Sequence, residues 1–221
     1  MTRETSPRRA PTQARSRERI QRILQAASDL IQRDGADAFT VQAVADAAEV
    51  PIGSVYQYFP GKPGIIRALA ENHLNALREK LRNDLSDFQR GKPTRRQISA
   101  AIEQIVDTYY EYYSSDPTFR LIWGGVQADP VLRELDVRDT EQNARIFQTA
   151  LRPYFPHLPA SEIYGLCLLI CDTTASALRL ALDYEEHPKK KKGGTHRAII
   201  RELKTMLSAY MRAKFTRNQA R

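Results

Sequence analysis

Apolar residues recur at helical spacing along almost the whole chain. In the segment "RERIQRILQAASDLIQRDG" they fall at positions i, i+4, i+7 and i+11, namely Ile20, Leu24, Ala27 and Ile31. That spacing places them on one stripe of a helix, and Gly35 supplies an end signal. Thr40 is suited to the N-cap of a second helix over about 41–47. No run of alternating apolar and polar residues is bounded by hairpin turns, so the sequence predicts an all-α fold.

Prolines divide the remainder of the chain into segments of helical length. These segments are about 64–89, 95–114, 118–127, 131–152, 160–185 and 195–215. Short helices precede residue 60 and long helices follow it, which predicts more than one domain in a chain of 221 residues. We expect a basic flexible arm over 1–15, a compact domain of short helices over 16–62 and a larger helical domain over 63–215.

Two short helices in the compact domain are joined by a turn of about three residues, "AEV", and so predict a helix-turn-helix. Val44, Ala48, Val55 and Phe59 fall where these helices must pack on each other and on the first helix. Four polar residues of the second short helix are expected to point away from that core: Ser54, Tyr56, Gln57 and Tyr58. Tyrosine hydroxyls and glutamine amides are suited to phosphate oxygens and base edges, which indicates contact with DNA.

Residues 17–64 resemble the DNA-binding domain of the TetR-like family of bacterial transcriptional regulators. The residues that carry the resemblance are Thr40-Val41, Val44-Ala45, Ala48, Val50 and the segment "GSVYQYFPGK" from Gly53 to Lys62. The resemblance implies that Thr40 and Val41 open a helix that contacts a phosphate, with Gln42 reaching toward bases. It implies that Pro51, Ile52, Gly53 and Ser54 enter the major groove. It also implies that Tyr56, Tyr58 and Lys62 hold the DNA backbone.

Three residues of the turn and recognition helix depart from the family pattern. Glu49 stands where the family usually has glycine, so a left-handed conformation there would be strained. Ile52 replaces a frequent lysine and Pro51 a frequent serine, which leaves this helix with fewer hydrogen-bond donors. We therefore expect this helix to recognise bases more through apolar contacts, with Ile52 against a thymine methyl. Hydrogen bonds to bases are then left to Gln42, Ser54 and Gln57.

The positive charge of the chain is concentrated at its N-terminus. The first 22 residues contain seven arginines and two glutamates, within a chain whose formal charge is +8. Two interpretations are open: a solubilising leader, or an arm in which Arg17 and its neighbours contact DNA beside the main site. The resemblance to a DNA-binding domain favours the second.

The larger domain is expected to bind a ligand and to form a dimer. The resemblance implies a homodimer through the last two long helices and a cavity for a small-molecule effector. The apolar segment over 164–184 supports burial on several sides. These features predict a homodimeric repressor that an effector, at least partly apolar, releases from a palindromic double-stranded operator, although an effector that promotes binding is also open. The alternative is a ligand-independent architectural DNA-binding protein.

The candidate ligand-binding residues are mostly aromatic. Tyr109 and Tyr113 continue the inward-facing apolar stripe of the segment 95–114. The other candidates are bulky or polar side chains of neighbouring helices: Phe119, Trp123, Phe147, Cys171, Asp172 and Thr174. The alternative is an aromatic core in which the hydroxyl groups are satisfied internally.

Other classes of function lack their signals. The histidines do not match the spacing of Cys167 and Cys171, so we expect no metal and no cofactor. No motif of a hydrolase, metalloprotease or phosphate loop is present, so we expect no enzyme. No apolar run approaches the roughly 18 residues of a membrane span, and two cysteines suit a reducing compartment. The sequence therefore predicts a cytoplasmic protein without a membrane partner.

Overall fold

The computed structural model describes residues 10–86, 94–124, 129–186 and 194–219. These residues contain helices and connecting turns and no strand, so the all-α prediction is confirmed. The helices are α1 Ala10–Asp34, α2 Val41–Ala47, α3 Ile52–Tyr58, α4 Gly61–Ser86, α5 Arg95–Ser115, α6 Pro117–Gly124, α7 Pro130–Leu151, α8 Ala160–Glu186 and α9 Thr195–Gln219. A short 3₁₀ turn, Arg152–Tyr154, follows α7.

The described residues divide into two compact units. The first unit draws on Met1–Asn72 and Pro117–Leu132, and the second on His73–Asp116 and Arg133–Arg221. The expected boundary after residue 62 lies ten residues before the division after Asn72, and α4 runs unbroken across both positions. Helix α6 belongs to the first unit, where Thr118 Oγ1 lies 2.7 Å from Ser28 Oγ and accepts a hydrogen bond of 2.8 Å from Gln32 Nε2.

The N-terminal arm is shorter than the sequence predicts. Helix α1 begins at Ala10, so the last six residues of the expected flexible arm are helical. The rest of the arm, residues 1–9, lies outside the described residues.

The core of the first unit follows the predicted stripes. Val44 and Val55 are fully buried, and Ala48 and Phe59 are nearly so, together with Ile23 of α1. Each large side chain buried in this way contributes about 1.5–3 kcal/mol of transfer free energy. The two short helices are therefore held by packing on α1, since helices of 7 residues are not stable alone.

The turn between α2 and α3 contains the strained residue that the sequence predicts. Glu49 has a φ of 53°, in the left-handed region, and is the one non-glycine residue with a positive φ among those described. It is exposed, and its N–H bonds the carbonyl of Asp46 at 3.2 Å. The left-handed conformation costs a residue with a Cβ roughly 1–2 kcal/mol.

Replacing Glu49 with glycine is expected to raise the free energy of unfolding by about 0.5–1 kcal/mol. Relief of the left-handed strain exceeds the entropy that glycine adds to the unfolded chain. Urea denaturation measures the change. The matched control is Glu103→Gly at an exposed position inside α5, which should lower the free energy of unfolding by about 1 kcal/mol. Equal losses in both variants would contradict the strain at Glu49.

The second unit has its own apolar core. Buried side chains of α5, α7, α8 and α9 contribute to it, among them Ile98, Ala144, Ile163, Cys167 and Met211. Burial raises the pKa of the Cys167 thiol to about 12, so the thiol is neutral and packs as an apolar group. The N-terminus of α5 is fixed by a capping box between Thr94 and Gln97.

Helix α8 corrects one expectation of the sequence. Ala160–Glu185 is long and apolar enough to cross a membrane, whereas the apolar runs of the sequence predict no such segment. The expectation counted only uninterrupted apolar runs, and α8 contains isolated polar residues such as Asp172. In this structure α8 packs on α9 and α5 and fully buries Ile163, Cys167 and Leu178. A core helix of a water-soluble unit has the same composition, so the signal is weak.

Candidate nucleic-acid interface and ligand cavity

Helix α3 has one face buried in the first unit and one face open to solvent. Val55 lies on the buried face, whereas Ile52 is 37% and Tyr56 55% exposed, and Gln57 is exposed beside them. Pro51 precedes the helix, and its carbonyl accepts the N–H of Ser54 at 2.8 Å. The open face therefore combines an aliphatic side chain, a phenol and an amide.

Gly53 lies on the same open face, and no internal contact requires it to be glycine. Its φ is not in the left-handed region, and a Cβ built on it meets no atom within 4 Å. A side chain at this position would therefore project into open space. This observation fits a close approach of DNA to the start of α3.

Tyr58 departs from the expectation that it points away from the core. It is half-buried, and its hydroxyl accepts a hydrogen bond from Ser16 Oγ of α1 at 3.2 Å. The hydroxyl proton can still be donated. Tyr58 thus ties the end of α3 to α1, and Ser16 is a partner that sequence analysis missed because it lies 42 residues away in the chain.

The start of α2 is fixed by Thr40, as predicted. Its Oγ1 accepts the N–H of Ala43 at 3.1 Å, and the exposed hydroxyl retains a proton that it can donate. Val41 is half-buried behind it. Gln42 is exposed, and its side-chain amide donates to Asp46 Oδ1 at 2.7 Å, so contact with a base requires it to leave that carboxylate.

Lys62 is also engaged inside the first unit. Its Nζ donates to the carbonyl oxygen of Asp37 at 2.6 Å and lies 4.7 Å from the centroid of the Phe39 ring. The ammonium group has three donors, so two remain beside this bond. Lys62 therefore joins the start of α4 to the loop before α2. Arg17 is exposed on α1, two residues beyond the end of the expected arm.

The predicted ligand-binding residues belong to both units. Phe119 and Trp123 belong to the first unit, where their rings stack with centroids 4.9 Å apart. In the second unit, Tyr109 and Tyr113 are buried and meet edge to face at 6.0 Å. Thr174 is buried and Cys171 is half-buried, whereas Asp172 is exposed.

An apolar cavity of about 50 Å³ lies in the core of the second unit. Its lining is entirely aliphatic, aromatic or sulfur-containing and includes Ile102, Ile105, Phe147, Cys167, Leu207 and Met211. Of the predicted ligand-binding residues, Phe147 alone lines it. Tyr109 and Cys171 lie one helical turn beyond Ile105 and Cys167 respectively, so they flank one end of the cavity.

A buried polar cluster, comprising Arg78, Asp139 and Asn143, was not predicted. Arg78 Nη2 donates to Asp139 Oδ1, and Asn143 Nδ2 donates to Asp139 Oδ2 at 2.8 Å. Burial raises the pKa of Asp139, while Arg78 and the bond from Asn143 act in the opposite direction. Beside this cluster, Arg179 and Asp136 form a second pair at 3.5 Å.

The cluster had a sequence signal that sequence analysis did not use. Leu132, Leu135, Asp139 and Asn143 recur at helical spacing on α7, and all four are buried. Polar residues that continue an apolar stripe must be buried with partners. Among the described residues, no group of three or more histidine, cysteine or acidic side chains is able to hold a metal ion.

Known protein families match both parts of the chain. Residues 23–69 match the family described as "Bacterial regulatory proteins, tetR family". Residues 96–215 match the family described as "Tetracyclin repressor-like, C-terminal domain".

Individual relatives agree with these matches. The chain is 46% identical over 46 residues to the HTH-type transcriptional repressor KstR of Mycobacterium tuberculosis, a match that spans 21% of each protein. A TetR-family transcriptional regulator from Streptomyces coelicolor is similar in structure, with a TM-score of 0.60, 27% identity, and coverage of 87% of this chain and 97% of that one. The fatty acid degradation regulator FadR of Bacillus halodurans shares the fold, with a TM-score of 0.60, 16% identity, and coverage of 93% and 97%.

Proposed function

Because the chain belongs to the TetR family of bacterial regulatory proteins, we propose that it is a homodimeric, sequence-specific repressor that a small molecule releases from DNA. The observation that carries this proposal is the open face of α3. Ile52, Tyr56 and Gln57 are exposed there on a helix whose other face is buried, and Gly53 leaves clearance for a neighbouring surface.

The proposed DNA contacts divide into those that read bases and those that hold the backbone. Pro51, Ile52, Gly53 and Ser54 enter the major groove, and Gln42 and Gln57 donate to base edges. Thr40 and Tyr56 donate hydroxyl protons to phosphates. Tyr58 ties α3 to Ser16, and Lys62 ties the start of α4 to the Asp37 carbonyl, with donors of both left for the DNA backbone. Arg17 and the arginines beside it add attraction that depends on salt.

The proposed dimer forms through α8 and α9. These helices expose large apolar side chains, Leu169 and Leu180 on α8 and Met206 and Tyr210 on α9. Leu169 and Leu180 are about three helical turns apart, so they share one stripe. A two-fold dimer would present two copies of α3 to successive half-sites of an inverted repeat.

Replacing Leu180 with glutamate is expected to weaken the dimer by about 100-fold, because it places a charge in an apolar interface. Sedimentation equilibrium measures the dissociation constant. The matched control is Leu121→Glu on α6, since Leu121 is similarly exposed but lies on neither of the proposed dimer helices. A Leu180→Glu protein with the same dimer dissociation constant as the wild-type protein would contradict an interface through α8.

The small size of the apolar cavity supports a mechanism by population shift. Ligand pockets usually measure about 300–1,000 Å³, whereas this cavity measures about 50 Å³. An effector must therefore bind a form of the second unit in which the helices are further apart. Release from DNA follows if that form holds the two α3 helices at the wrong spacing.

Selection of random duplexes by the purified protein at near-physiological salt tests the proposal. An inverted repeat among the selected sequences is the expected result. Selected duplexes without a shared sequence would contradict a specific repressor and favour the architectural DNA-binding alternative.

We further propose that the protein acts in the cytoplasm, where operator DNA is found, and that it catalyses no reaction.

A further inference from the structure

The buried polar cluster of the second unit has two hydrogen-bonding atoms without a partner among the described residues. They are Nε of Arg78 and Oδ1 of Asn143, one a donor and the other an acceptor. Asn143 is only 6% exposed, and both residues bond the same carboxylate, that of Asp139. Buried polar atoms normally have a hydrogen-bond partner. The unpaired donor of Arg78 and the unpaired acceptor of Asn143 therefore indicate a place for another polar group beside the Asp139 carboxylate.

The apolar cavity begins one helical turn from this cluster. On α7, Asn143 precedes the cavity residue Phe147 by four positions, and on α5 Tyr109 follows the cavity residue Ile105 by four. Four residues of helix span about 6 Å. An apolar space and two unpaired polar atoms are thus about one helical turn apart along α7, a separation that an amphiphilic molecule spans.

The charge of the surroundings decides the charge of the polar group. Arg78 pairs with Asp139 and Arg179 with Asp136, so two guanidinium groups balance the two buried carboxylates. Asp172 also acts on Asp136, but it is exposed and its charge is screened by solvent. Tyr109 and Tyr113 stay neutral, because burial raises the pKa of both phenols above their ordinary value. An additional buried charge would have no counter-ion, and burial of an unpaired charge is strongly unfavourable.

We propose that the effector is a neutral amphiphile, an alcohol or primary amide whose polar head accepts from Arg78 Nε and donates to Asn143 Oδ1. Its apolar body enters the cavity beside Phe147 and Met211 when the helices around the cavity move apart. This inference rests on the proposed function only in taking the second unit as the effector site.

Calorimetry on the full-length protein with four octyl compounds tests the charge of the head. Octanol, octanamide, octanoate and octylamine share one apolar chain and differ in the head group. The alcohol and the amide are expected to bind at least about tenfold more tightly than the two charged compounds at neutral pH. Preferential binding of octanoate or octylamine, equal binding of all four, or no binding of any would overturn the proposal.

Two substitutions in the cluster sharpen the test. Asn143→Leu removes the free acceptor and should weaken octanol binding about tenfold, while the exposed matched control Asn83→Leu should leave it unchanged. Asp139→Asn leaves the Arg78 charge without its counter-ion and should shift the preference to octanoate. The second variant gives a gain of binding, so it remains informative if Asn143→Leu fails to fold. If Asp139→Asn still preferred octanol to octanoate, the assignment of the head-group site to this cluster would be overturned.

Failure of this inference is distinguishable from failure of the proposed function. If a different compound releases the operator and no octyl compound binds, the repressor stands and the neutral head is wrong. If octanol binds as expected but operator affinity is unchanged, the interior recognises neutral amphiphiles and effector release is wrong.

Discussion

Replacing Tyr56 with glutamate is expected to lower operator affinity by about 100-fold or more while leaving thermal unfolding unchanged. The Tyr56 side chain is 55% exposed on the open face of α3, so its replacement disturbs little of the core. The substitution removes a hydroxyl donor and places a carboxylate against the phosphates that the phenol is proposed to contact. Fluorescence anisotropy with a selected operator at fixed salt measures the loss.

Gln104→Glu is the matched control for this prediction. It adds a negative charge at an exposed position of α5, in the second unit, which carries none of the proposed DNA contacts. Its effect on operator affinity should be less than about threefold, because long-range repulsion is screened by salt. Similar losses in the two variants would mean that net charge, and not the position of Tyr56, controls binding.

Replacing Asp139 with alanine is expected to lower the free energy of unfolding by about 3–5 kcal/mol, because it leaves the buried Arg78 guanidinium without a counter-ion. The side chains of both partners are only 12% exposed. Asn143 would also lose its acceptor at 2.8 Å. Urea denaturation followed by circular dichroism measures the change.

The double variant Arg78→Met with Asp139→Leu tests whether the lost stability comes from the unpaired charge, because it removes both charges of the pair. It should recover most of the lost stability, because two apolar side chains of similar volume carry no desolvation penalty. The exposed pair Arg138–Glu134 on α7 is the matched control, and Glu134→Ala should cost less than about 1 kcal/mol. A double variant as unstable as Asp139→Ala would contradict an unpaired charge as the cause.

The elements that helical spacing alone determines were predictable from the sequence. Val44, Val55 and Phe59 recur at intervals that place them on facing sides of α2 and α3, and all three are buried. The strain at Glu49 was also predictable, since the short turn between these helices needs a left-handed residue and the chain has no glycine there. These inferences use only neighbours in the chain.

The partners of exposed-looking residues were not predictable, because they come from distant positions. The sequence predicts that Lys62 contacts a phosphate, and it does not predict the bond from Lys62 to the carbonyl of Asp37, 25 residues away. The stacking of Phe119 on Trp123 was not predictable either, because it depends on α6 belonging to the first unit. Spacing predicts which face of a helix is buried, whereas it does not predict which helix covers that face.

The most direct test of base reading by α2 and α3 repeats the duplex selection with Gln42→Ala and Gln57→Ala beside the wild-type protein. Both side chains are exposed, so neither variant should alter the fold. Each variant is expected to lose base preference at one position in each half-site and to keep it elsewhere. Unchanged preferences with uniformly weaker binding would contradict the account, because they would assign these residues to the DNA backbone.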